Sequence, residues 1–217
     1  MRIAILVAAI VAITASSAHA DTIFDRLRDD SGEVAGLPGW KLQRKPDKNH
    51  CGGIAIVTTR GKKKLTADEQ PTANVFALTF PNGLNFSPDE KHRKTREASM
   101  KRFNDFVVEM TKVSAVSQKY YEATLDKEKT VEARARAAAR MAQISMRVAS
   151  LLARAEIPKD VRTGELASEK IEAFCDKLAE VAEPLLARAE EATAVCAAAT
   201  KDAPAGWWTT VCATPAP

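Results

Sequence analysis

Residues 164–201 read GELASEKIEAFCDKLAEVAEPLLARAEEATAVCAAATK. Ile171, Phe174, Leu178, Val181, Leu185, Ala189, Ala192 and Cys196 recur at intervals of three and four with charges between them, the apolar stripe of an amphipathic helix. Pro184 falls inside it. A proline there removes a backbone hydrogen bond and costs about 3 kcal/mol. No glycine or turn former accompanies it, however, and the stripe keeps its phase across it, so the pattern predicts one kinked helix rather than a hairpin. Thr163-Gly164-Glu165 opens this helix, and Ala203-Pro204-Ala205-Gly206 turns the chain back.

Two further helices precede it. Ser87-Pro88-Asp89-Glu90 places an N-cap serine, a first-turn proline and a capping-box glutamate in order. The stripe that follows runs through Met100, Phe103, Val107, Met110, Val113, Ser117, Tyr121 and Leu125. The polar segment 126–130 interrupts it. A second, alanine-lined stripe then passes through Ala138, Met141, Ser145, Val148, Leu152 and Ala155, and ends at Ile157-Pro158 because the residue before a proline avoids helical geometry. Helices over about 88–124, 130–155 and 164–200, joined by short links, pack most simply as an up-down-up bundle.

Residues 21–86 carry shorter, β-type runs. Gly53–Thr59 and Val75–Phe80 are rich in β-branched and aromatic residues and bounded by turn formers, so both read as strands. Trp40–Arg44 adds a third after the Leu37-Pro38-Gly39 turn. Asp21–Arg28 suits a short amphipathic helix through Ile23, Phe24 and Leu27. Strands this short need a partner to bury their apolar face. The expected fold is therefore α+β and predominantly α: a small N-terminal element of two or three strands (21–86) packed on an antiparallel three-helix bundle (87–202), followed by a C-terminal tail (203–217).

Residues 1–20 have the three parts of a cleavable export signal: Arg2, the apolar run Ile3–Ile13, and a small-residue stretch ending Ala18-His19-Ala20. The run is too short to span a bilayer. The mature chain is expected to begin at Asp21, to carry no transmembrane segment, and to be periplasmic or secreted. In such a compartment the even number of cysteines, Cys51, Cys175, Cys196 and Cys212, predicts two disulfides, for which three pairings exist.

The helix over 164–200 decides among them. Cys175 and Cys196 lie about 31 Å apart along its axis, whereas bridged cysteines need α-carbons within about 7 Å. In an up-down-up bundle the first and third helices start at the same end, which puts the N-terminal subdomain beside Cys175. The expected bridges are Cys51–Cys175 and Cys196–Cys212, the second pinning the Trp207-Trp208 tail to the far end of the bundle.

Functional signals are sparse. Removing residues 1–20 lowers the net charge from +4 to +3. Between Lys41 and Lys64, however, eight basic residues (Lys41, Arg44, Lys45, Lys48, Arg60, Lys62, Lys63 and Lys64) face one acid, Asp47. These are the candidate anion-binding residues, with Arg60–Lys64 placed at a hairpin tip. Trp207 and Trp208 are candidate partner contacts. Glu180, Glu183, Glu190 and Glu191 read as an exposed charged face. The mature chain has only His50 and His92 and carries no C-x-x-C, G-x-S-x-G, H-E-x-x-H or P-loop motif, so no catalytic, metal or cofactor residue is assigned.

The favoured expectation is an exported, non-enzymatic interaction or structural protein of the envelope or periplasm. One alternative is a polyanion-binding protein that takes anionic lipid, lipopolysaccharide or glycan on residues 41–64. Another is an enzyme whose site is assembled from distant residues. Expected partners are an envelope protein, an anionic surface, or a second copy through the long helices.

Overall fold

A computed structural model describes residues 23–24, 26–27, 31–60 and 64–213. The export signal and the extreme C-terminus lie outside the described residues, as do Lys62 and Lys63. In chain order come strands β1 (Gly32–Glu33), β2 (Trp40–Lys45) and β3 (Ile54–Thr59), helix α1 (Gln70–Phe76), a 3-10 turn (Glu90–His92), and helices α2 (Arg93–Lys127), α3 (Val131–Ala153), α4 (Ala167–Thr200) and α5 (Trp207–Cys212). Helix α4 passes through Pro184 without a break. The protein is α+β, with a small antiparallel sheet beside three long helices.

Helix α3 is the middle layer and packs against both α2 and α4. Small side chains let it approach α4 closely: Ala149 and Ala153 of α3 share the core with Ala179, Ala182, Leu186 and Ala189, while α2 contributes Phe106, Met110 and Tyr121. Ile23 and Leu27 are buried in the same core; the rest of the expected helix over 21–28, apart from Phe24 and Arg26, lies outside the described residues. At one end, Ala135 and Ala138 of α3 meet Leu125 of α2 and Cys196 of α4, which fixes the antiparallel course of the three helices.

The sheet runs β1-β2-β3, all antiparallel, with Leu42 opposite Val57 and Arg44 opposite Ala55. Leu42, Ala55 and Val57 share one face, which packs over Val34, Leu37, Ala73 and Phe76. Two bridges tie the chain ends to the helices. Cys51 in the β2–β3 connection is bonded to Cys175 of α4 with α-carbons 5.5 Å apart, and Cys196 is bonded to Cys212 of α5 with α-carbons 5.1 Å apart.

Val75–Phe80 does not form the expected strand. Val75 and Phe76 end helix α1, and the chain is irregular beyond Leu78. The cause is local and upstream. Thr66 and Glu69 form a reciprocal cap, in which the Glu69 carboxylate accepts the Thr66 amide at 2.8 Å and the Thr66 hydroxyl accepts the Glu69 amide at 3.3 Å, with Pro71 in the first turn behind them. The apolar, β-branched content of this stretch reflects burial, since Thr72, Ala73, Val75 and Phe76 are all inside.

Other boundaries shift for similar reasons. Asp89 rather than Ser87 caps the entry to the first long helix, accepting the Lys91 amide at 3.1 Å and opening a 3-10 turn before α2 begins at Arg93. Helix α4 begins at Ala167, after Leu166 adopts a left-handed conformation (φ 60°), rather than at Thr163. Residues 207–212 of the tail are helical.

Candidate functional site

The face of α3 that looks toward the sheet carries Arg140, Arg147 and Arg154, seven residues and about two turns apart. Their exposures are 1%, 5% and 4%. Burying a guanidinium is costly unless its donors are met. Here backbone carbonyls from the N-terminal subdomain meet part of that need, while the buried Nε of Arg140 has no hydrogen-bond partner among the described residues. Arg140 donates to the carbonyls of Gly36 at 2.7 Å and Ala35 at 3.4 Å, Arg147 to that of Leu78 at 3.2 Å, and Arg154 to that of Gly52. Each also lies over an aromatic ring: Arg140 4.2 Å from Trp207, Arg147 5.9 Å from Phe76, and Arg154 5.1 Å from Phe24. Burial pushes the Arg140 pKa below its ordinary value, opposed by the nearby Tyr121 and Asp68.

The row thus clamps the 34–37 turn, the end of α1 and the β2–β3 connection onto one helix. Planar forks that donate in several directions suit this task, and a lysine in their place would reach fewer carbonyls. In the sequence the only sign is R-x6-R-x6-R on an otherwise alanine-lined stripe. Which carbonyls those arginines would meet is not visible there.

A second network holds the β2–β3 connection from behind. Glu156, nearly buried, pairs with Arg162 at 2.9 Å and accepts the Gly83 amide, and Arg162 also reaches the Asn49 side chain. Ile157 donates to the Asn49 carbonyl at 2.8 Å. Asp47 accepts the Asn49 amide at 2.7 Å, which holds its carboxyl below the usual carboxylate range, and His50 Nδ1 lies 3.4 Å away. Together with Cys51–Cys175 these contacts make the connection a fixed platform.

The basic residues sit on and around this platform. Arg44, Lys45 and Lys48 are exposed at the β2–β3 connection, and Lys41 is half-buried on the outer face of the sheet. Arg60 and Lys64 are exposed beyond the other end of β3. Because 75–80 is not a strand, β3 and 75–80 do not make the expected hairpin; residues 61–63 of its expected tip lie outside the described residues. The hairpin turn is instead 46–53. The charges therefore flank β3 at both ends, separated by a six-residue strand of about 20 Å.

Two clefts open between the sheet and α3. One of 260 Å³ lies between β3 and the segment 79–82, floored by Arg147, Ser150 and Leu151. The other, of 240 Å³, lies on the far side of Arg147 among Val34, Leu42, Phe76 and Met146. Both are smaller than the roughly 300–1,000 Å³ of small-molecule sites.

The remaining singled-out residues have structural surroundings. Trp208 is buried with Ala135, Ala138 and the Cys196–Cys212 bridge, and Trp207 is half-buried between Arg140 and Gly36. Glu183 and Glu190 on α4 both receive Arg26, at 2.6 and 2.8 Å, and their hydrogen bonds hold its guanidinium well above the ordinary arginine value. With all three side chains well exposed, this pairing adds little stability. His92 ends the 3-10 turn, half-buried. Among the described residues no group of three metal-ligating side chains is gathered, and no helix is long and apolar enough to cross a membrane. Compared with protein-family models, curated proteins and solved structures, the chain matches none.

Proposed function

We propose that the chain is an exported, non-enzymatic interaction protein of the periplasm or cell envelope that meets an acidic partner with its sheet. The observation that carries this reading is the contrast between a fixed sheet backbone and the exposed charge at its ends. Behind it, three buried arginines, a disulfide and the Glu156–Arg162 pair lock the backbone in place. At the two ends of β3, Arg44, Lys45, Lys48, Arg60 and Lys64 are exposed. A rigid surface binds with little ordering cost, and clustered positive charge speeds encounter with an acidic partner. Two disulfides suit an oxidising compartment.

The test is site-specific photo-crosslinking in the native envelope, with the reactive group at Lys48 and a control at Val108, which is exposed on α2. The expected result is a discrete adduct from Lys48, absent from Val108 and reduced by added salt. Equal labelling at both sites, or none, overturns the reading. If Lys48 crosslinks only to lipid, and phosphatidylglycerol vesicles bind the purified chain, the partner is an anionic membrane surface instead.

A further inference from the structure

From the unpaired edge of β3 we infer that this strand accepts an extended acidic segment of a partner protein as a fourth strand of the sheet. The inference rests on the interaction reading above and names the surface and the kind of ligand. Its starting point is the hydrogen-bond phase of the ladder. Arg60 donates to the Gly39 carbonyl at 2.7 Å, and the register places Thr58, Ile56 and Ile54 two, four and six residues before it, opposite Lys41, Gln43 and Lys45. In an antiparallel pair alternate residues turn both backbone groups toward the same neighbour. Ile54, Ile56 and Thr58 therefore face β2, and Ala55, Val57 and Thr59 turn their N–H and C=O groups to the opposite edge. The β1–β2 bond from Val34 to the Trp40 carbonyl, at 2.9 Å, obeys the same alternation. Among the described residues nothing pairs with the outer edge of β3.

Such an edge is normally blunted by lysine, proline or a bulge. β3 reads IAIVTT, six uncharged residues without proline. Alongside it runs the 260 Å³ cleft, with Phe80 on its far wall and Leu151 in its floor. That space is small for a free ligand, but it suits the alternate apolar side chains of an added strand. The described lining holds Arg147, Arg154 and no carboxylate. Exposed cations then stand beyond each end, Lys45 and Lys48 on one side and Arg60 and Lys64 on the other.

The charge pattern also selects among occupants. A second copy pairing β3 antiparallel to β3 would set the cations beyond one end against those beyond the other, and like charges facing each other across strands are destabilising. An extended segment with alternating apolar and acidic residues meets both the cleft and the flanking charge. This is strand addition, in which main-chain hydrogen bonds supply affinity and side-chain pockets supply specificity.

The probe is a short synthetic peptide of alternating glutamate and valine, added to the mature full-length chain and followed by hydrogen exchange at single amides. The expected result is slowed exchange at Ala55, Val57 and Thr59, and none with a lysine–valine peptide. Val57→Pro removes an edge donor at a position where a sheet tolerates proline, and should weaken peptide binding roughly tenfold or more. Lys48→Glu/Lys64→Glu alters two exposed side chains and should weaken it independently, so the inference stays testable if the proline variant does not fold. Protection elsewhere but not at these three amides, unchanged affinity in folded Val57→Pro or in the double charge variant, or a concentration-dependent dimer that protects the same amides without peptide would each overturn it. A salt-sensitive adduct at Lys48 that survives in Val57→Pro would leave the interaction reading standing while this inference fails.

Discussion

The Arg140 guanidinium lies 4.2 Å from the centre of the Trp207 ring, and that ring in turn lies against Gly36, whose carbonyl the same guanidinium holds at 2.7 Å. The C-terminal helix, the middle of α3 and the turn before β2 therefore meet around one buried cation. Cys196–Cys212 holds the tryptophan in position. Stability and the shape of the sheet surface are joined at this point.

Arg140→Ala should lower unfolding stability by about 3 kcal/mol, because it leaves the Gly36 carbonyl without its donor and empties the space under Trp207, while the Ala35 carbonyl keeps the Gln143 amide at 2.9 Å. Arg140→Lys should recover less than half of that, since one ammonium cannot reproduce the planar fork. Urea unfolding, read as a shifted midpoint at constant slope, measures both.

Gly36 has φ 70°, and a Cβ added there would lie 2.5 Å from the Trp207 ring. Gly36→Ala should therefore cost about 2–4 kcal/mol through left-handed strain and overpacking together. Trp207→Leu in the same chain should return part of the loss. A coupling of about 1 kcal/mol or more in the double-mutant cycle is expected, and strict additivity would show that the ring and the turn do not press on each other.

The two bridges should differ in worth. Cys51–Cys175 closes a loop with a sequence separation of 124, and Cys196–Cys212 one of 16. Loop-closure entropy assigns them about 5 and about 3 kcal/mol. Paired serine substitutions compared by thermal and denaturant unfolding should give that order, and the first pair should also loosen the β2–β3 connection in hydrogen exchange.

Tyr121 is fully buried, its hydroxyl 2.9 Å from that of Thr72, and burial pushes its pKa up to about 12. The folded state thus holds the phenolic proton more tightly than the unfolded chain. The resulting stability is fully present below the ordinary tyrosine value of 10.0 and is lost as pH rises from there to about 12. Alkaline ultraviolet titration should show a late-titrating tyrosine, and Tyr121→Phe should remove it.

Some errors of sequence reading have a common cause. Apolar content made Val75–Phe80 resemble a strand, while the Thr66–Glu69 cap that starts a helix lay outside the apolar run. Ser87 and Asp89 both suit a helix entry, and the choice fell to Asp89 because its carboxylate reaches the Lys91 amide. Of the candidate site, the basic residues were legible as a segment but not as two groups flanking β3. That division follows from the true position of the hairpin turn.

The sequence by itself determined the three long helices, the passage of α4 through Pro184 and the separation of Cys175 from Cys196, because these depend on a rise of about 1.5 Å per residue that local geometry enforces. It also determined two of the three strands, near 40–44 and 53–59, whereas Gly32–Glu33 became a strand only through its pairing with β2. Only the tertiary structure decided what the arginines of α3 hold, which edge of the sheet stays open and what flanks it. Arg140 and Gly36 are 104 residues apart, and a bond across that distance exists only once the intervening chain has packed.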